Sequence, residues 1–146
     1  MKDFANASSN FNNSYNLLSQ CLQDLDEEDQ SQAMYGYIWY GLSELLNGNI
    51  DNSKTPINTA ESWLETFPLK PDTNHDFDAY LLYWPLHLYY KNLNQRDKAN
   101  KYLTLAYEIV GQKQIDKYHS HPEKNIYPKF FYCRDIIKAY ENSLNQ

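Results

Sequence analysis

Few residues of this chain could do chemistry, and their spacing does not assemble a catalytic site. His119-Ser120-His121 with Glu123 is the one metal-like cluster, and Asp116 lies one helical turn before it. Alternating histidines can chelate zinc, but a stable site takes three or four convergent ligands at fixed geometry. His75 and His87 are distant in sequence, so the cluster reads as a polar break between helices. Cys133 stands beside Arg134, a cation that favours a thiolate. Its spacing from Phe130 and Ile137 nevertheless puts it on an apolar helical stripe, where a cysteine is usually a buried thiol. Cys21 reads the same way, and there is no Cys-x-x-Cys pair.

The acidic residues concentrate in Asp24-Leu25-Asp26-Glu27-Glu28-Asp29. This run lacks the alternating ligands and central glycine of a calcium loop. It reads as a solvated turn between helices, where no burial raises a carboxylate toward acid–base work. Asn47-Gly48-Asn49 is a helix stop rather than a phosphate cradle. These patterns predict a protein that is not an enzyme and that carries neither metal nor cofactor.

Composition narrows the architecture. Aromatics make up 16% of the chain, with 14 tyrosines, whereas glycines number 4 and β-branched runs are missing. That balance favours helices over a sheet. A net charge of −6 argues against nucleic acid or an anionic membrane as the main partner. No apolar run approaches the roughly 20 residues that span a bilayer. The start, MKDFANASSNF, has no apolar core of a signal peptide, so a cytoplasmic protein is expected. The 146 residues suffice for one domain with a real core, read here as 1–146.

The element that organises the chain is Tyr80–Val110, two aromatic-rich helical runs joined by a polar turn at Asn92–Gln95. Ala99, Leu103, Ala106 and Val110 recur at helical spacing in the second run, with Tyr102 and Ile109 broadening the stripe. Asn94 reads as its N-cap, Asp97 as the capping-box acid and Gly111 as its stop. In the first run Phe77, Tyr80 or Leu81, Trp84 and Leu88 line one face, and Pro85 predicts a kink. Further helices are expected at about 7–25, 30–46, from near Ser53 to Phe67, at 112–119 and at 130–144. Phe11, Tyr15, Leu18, Leu22 and Leu25 mark the face of the first. The spacing of Phe130, Cys133, Ile137 and Tyr140 marks the last.

The two central runs resemble one unit of the tetratricopeptide repeat. That pattern takes a large residue, Leu-Gly, an aromatic, a turn, then Ala, a large apolar residue and Ala. Tyr83, Leu86, His87, Tyr90, Asn94, Ala99, Leu103 and Ala106 occupy those places in order, with His87 where the family has glycine. A weaker copy precedes it: Tyr37, Gly41, Gly48, Ile57 and Ala60 fall 46 residues before Tyr83, His87, Asn94, Leu103 and Ala106. In this copy Glu44 replaces the aromatic and Ser53 the first alanine. The last third is also similar to the closing segment of tetratricopeptide regions in bacterial signalling proteins that follow cyclase or kinase domains.

The resemblance implies an all-α fold, antiparallel helical hairpins stacked as a short array of about seven helices. It also implies a role, because the first helix of each hairpin lines a concave face. That geometry assigns Tyr35, Ile38, Leu42 and Leu45 to the face from one hairpin, and Leu81, Trp84, Leu88 and Lys91 from the other, with Tyr90 at the rim. Ile38 and Leu42 stand where the family's chaperone-tail binders use lysine or asparagine, so a carboxylate clamp is not expected. The face is apolar and aromatic, which suits a protein or peptide partner, unless a terminal helix covers it as core. The expected function is a non-catalytic protein- or peptide-binding adaptor. The alternative is a homo-oligomerising or regulatory module for a separate enzyme, and a metal- or thiol-dependent enzyme ranks last.

Overall fold

A left-handed residue lets a helix end and the chain turn back within a few residues, and two of the described residues take that conformation. Gly48 has φ 86° and Asn94 has φ 57°. The computed structural model describes residues 4–67, 80–120 and 131–144, where all the regular structure is helical. Six α-helices follow in order: α1 (Phe4–Cys21), α2 (Glu27–Leu46), α3 (Ile50–Thr66), α4 (Tyr80–Asn92), α5 (Arg96–Ser120) and α6 (Phe131–Ser143). A short 3-10 turn, Leu22–Asp24, follows α1. Among the described residues no helix is long and apolar enough to cross a membrane. The chain divides into two compact units, Met1–Pro68 and Leu69–Gln146.

The first unit is built around α2. Asp26 caps its start, the carboxylate accepting from the Asp29 N–H at 2.9 Å, so the acidic run serves as an exposed helix entry. Met34, Tyr37 and Ile38 are fully buried along α2. From α1, Tyr15 meets Tyr37 edge-on with ring centroids 4.6 Å apart, and its ring also lies 5.2 Å from Tyr40. On α3, the Trp63 indole N–H donates to the Gln30 side-chain oxygen at 2.9 Å. The approach between α2 and α3 is tightest at Gly41. A Cβ built there would lie 2.6 Å from Ile57 Cγ1 and 3.0 Å from the Ser53 carbonyl oxygen.

In the second unit α4 is buried on nearly every side, because Tyr80, Leu82, Tyr83, Trp84, Leu86, Tyr89 and Tyr90 leave it no polar face. The α5 stripe falls as its spacing predicts: Ala99, Tyr102, Leu103, Ala106, Ile109 and Val110 are all buried. Tyr83 and Tyr90 both stack on Tyr102, at 6.2 and 5.8 Å. On α6, Cys133 and Ile136 are fully buried while Ile137 is half-buried, so the inner face runs through 136. Tyr107 and Tyr140 stack at 3.9 Å to join α5 and α6.

Three expectations change. Gly111 does not stop α5, which continues to Ser120 and absorbs the separate helix expected at 112–119; the described residues therefore form six α-helices where about seven were expected. A Cβ at Gly111 would meet nothing within 4 Å, so neither crowding nor strain forces a turn there. Asn94 is not the N-cap of α5 but the left-handed residue that closes α4. Its N–H donates to the Lys91 carbonyl at 3.1 Å and the Gln95 N–H to the Tyr90 carbonyl at 2.9 Å, the Schellman pattern. The third helix begins at Ile50 rather than near Ser53, which places Pro56 in its interior, fully buried.

Gly41 and Gly111 make a matched test. Gly41→Ala should lose about 1–3 kcal/mol, because part of the Ile57 side chain and a backbone carbonyl occupy the space of the new methyl group. Gly111→Ala should gain up to about 1 kcal/mol from helix propensity alone. Urea denaturation of the two variants beside the parent chain measures both; equal effects at the two positions would contradict the close approach at Gly41.

Candidate functional site

The second unit contains a pocket of about 500 Å³ where the end of α4, the start of α5 and the end of α6 meet. Its floor is set by His87, which is 4% exposed. The His87 Nδ1 lies 3.0 Å from the Ala99 carbonyl oxygen. A carbonyl only accepts, so Nδ1 carries the proton of the neutral ring, and Nε2 holds the lone pair. Nε2 is buried without a hydrogen-bonding partner. The ring lies against Trp84, with centroids 5.1 Å apart and planes 22° from parallel.

The walls follow from helical register. His87 and Lys91 are four residues apart on α4, while Arg96, Ala99, Asn100 and Leu103 recur at three- and four-residue spacing on α5. Asn94 contributes from the turn, and Ala139, Asn142 and Ser143 from the last turns of α6. Among the described residues the lining contains two cations and no carboxylate. Lys91 and Arg96 are exposed and have no carboxylate partner among the described residues. Sequence spacing alone does not collect these residues, because they come from three helices and a turn. The His87 substitution for glycine was the one local signal that something other than close helix contact occupies this level.

The eight residues expected on a concave apolar face are placed differently from an open groove. On α2, Ile38 and Leu42 are 0% and 3% exposed, and Tyr35 and Leu45 are half-buried. On α4, Trp84 is 7% exposed, Leu81 and Leu88 are half-buried and Lys91 is exposed. Tyr90, expected at the rim, is also buried; Lys98 Nζ donates to its hydroxyl at 3.0 Å. Cys133 is fully buried and Cys21 half-buried. The side chains of Asp116, His119, His121 and Glu123 lie outside those described.

Compared with known protein families, curated proteins and solved structures, the chain matches none.

Burial lowers the pKa of His87 from its ordinary 6.5; the Ala99 carbonyl opposes that shift and the charge of Lys91 adds to it. An imidazole held neutral in the fold takes up a proton on unfolding. The stability linked to it is therefore complete above pH 6.5 and is lost as the pH falls from 6.5 through the lower folded value. Urea midpoints at about pH 7.5 and about pH 5 should fall further for the parent chain than for His87→Leu. Parallel losses in the two proteins would show that His87 does not carry this dependence.

Proposed function

We propose that this chain is a tetratricopeptide-like, non-catalytic adaptor that binds a protein or peptide in the cytoplasm. The observation that carries this reading is a structural repetition with an offset of 46 residues. Gly48 and Asn94 occupy the same left-handed place in the same turn, with equivalent hydrogen bonds: Gly48 N–H to Leu45 and Asn49 N–H to Glu44, against Asn94 to Lys91 and Gln95 to Tyr90. A second equivalence braces each turn. The Asn52 amide donates to the Glu44 carboxylate at 3.3 Å, and Lys98 donates to the Tyr90 hydroxyl at 3.0 Å, so positions 46 apart make the same contact with different chemistry. Ile57 and Leu103, and Ala60 and Ala106, are likewise buried in register.

Repeats of this kind support a binding role because each presents the outer face of its first helix beside a stable second one. In this reading each unit offers its own unsealed face to a partner: Tyr35 and Leu45 on α2 of the first, and Leu81, Leu88 and Lys91 on α4 of the second. Ile38, Leu42 and Trp84 then support those faces from beneath rather than touching the partner. Half-buried aromatic and aliphatic side chains suit such contact, since they are already partly ordered when the partner arrives.

Affinity capture from the source lysate with the parent chain, Tyr35→Glu and Leu88→Glu tests the reading, with helix content of each variant checked by circular dichroism. A protein recovered by the parent at fixed stoichiometry and lost by a folded variant is the expected result. Recovery of nothing by the parent, with a concentration-dependent mass in solution, would instead favour the self-associating alternative.

A further inference from the structure

We propose that the pocket between α4, α5 and α6 binds a small anion, a compound whose carboxylate or phosphate group is held between Lys91 and Arg96. The chain is acidic, with 19 Asp and Glu against 13 Lys and Arg, yet this pocket gathers two cations and no acidic side chain among the described residues. Neither cation is paired with a carboxylate among the described residues. Asp97, the acid nearest in sequence to Arg96, does not line the pocket. At the N-terminal end of α5 the unsatisfied peptide N–H groups add partial positive charge to that of Arg96.

The remaining lining fixes the size and character of the ligand. A volume of about 500 Å³ suits a compound of metabolite size rather than a lone ion. Ala99, Leu103 and Ala139 give an apolar patch for its carbon skeleton. The carboxamides of Asn94, Asn100 and Asn142, with the Ser143 hydroxyl, offer both donors and acceptors to its other polar groups. A planar guanidinium reads a carboxylate or phosphate edge through two parallel hydrogen bonds, whereas Lys91 acts as a point charge.

His87 in the pocket lining marks a difference between the two repeated segments. At Gly41 there is no space for a Cβ against Ser53 and Ile57. His87 occupies the equivalent position, and its ring reaches the carbonyl of Ala99, the equivalent of Ser53. At this level α4 and α5 meet through an imidazole and a carbonyl, where α2 and α3 meet through a glycine. Of the residues assigned to the adaptor face the anion site uses only the exposed Lys91, and Arg96 belongs to the anion site alone, so the two readings are tested separately.

The test is a titration of the ¹⁵N-labelled full chain followed by amide chemical shifts, first with inorganic phosphate and then with citrate. Both are run in sodium chloride at constant ionic strength so that screening is equal. Saturable changes at Asn94, Arg96, Asn100, Asn142 and Ser143 are expected, and the anion that saturates at the lower concentration identifies the preferred group. Arg96→Gln should weaken binding about tenfold by removing a charge-assisted contact. Asn100→Asp should abolish it by placing a carboxylate in the pocket, and Lys54→Gln, far from it in sequence, should leave it unchanged. Changes that never saturate, that spread equally over Ser53 and Lys54 of the first unit, or that persist unaltered in both pocket variants would overturn the proposal.

Discussion

The architecture depends on passing one residue through a left-handed backbone conformation at each tight connection. Gly48 does this without a Cβ to clash, and Asn94 is among the few other residue types that tolerate it. Once that residue is in place, the last carbonyls of the preceding helix are satisfied by the two following N–H groups, and the next helix can start at once. Everything beyond the turn is then in register: Gly41 meets Ser53 and Ile57, and His87 meets Ala99. The braces at Glu44 and Tyr90 reach the turn from opposite chemistries, a carboxylate taking two amide donors in one case and a phenol taking a lysine in the other.

That shared frame makes the differences between the two segments informative. A glycine at position 41 lets two helices touch directly, whereas at position 87 an imidazole fills the contact and hydrogen-bonds to the facing helix. The energetic consequence is asymmetric. The contact at Gly41 is backbone and aliphatic and does not titrate, while the one at His87 keeps a ring nitrogen buried without a partner. Tyr37 in the first unit shows the same tension, its buried hydroxyl without a partner and its pKa pushed up to about 12 by burial and then by Tyr15 and Cys21.

The sequence was most legible where one physical signal acts alone. The α5 stripe of Ala99, Leu103, Ala106 and Val110 could be read because the opposite face of that helix segment is polar and the period is clean. Residues with two uses were harder. Asparagine suits both an N-cap and a left-handed closure, and only the hydrogen bonds around Asn94 decide between them. Glycine suits both a stop and a tolerated helix interior, and the open surroundings of Gly111 leave the helix free to continue. On α4, large residues surround the whole helix, so periodicity could not separate Trp84, which is sealed, from Leu81 and Leu88, which are partly open. The pocket left no local pattern, because Lys91, Arg96, Asn100 and Asn142 converge only after three helices have been placed.

The stacking of Trp84 on His87 has an optical consequence. Of the three tryptophans, Trp39 and Trp63 belong to the first unit and Trp84 to the second. An imidazole in ring contact with an indole drains its excited state once the imidazole is protonated, while Trp63 is hydrogen-bonded to a glutamine that does not titrate. Each unit thus carries its own tryptophan emission, and among the described residues it is Trp84 of the second that has an acid-operated quencher beside it. Emission recorded across the acid range would report the two halves of the molecule separately, without any label.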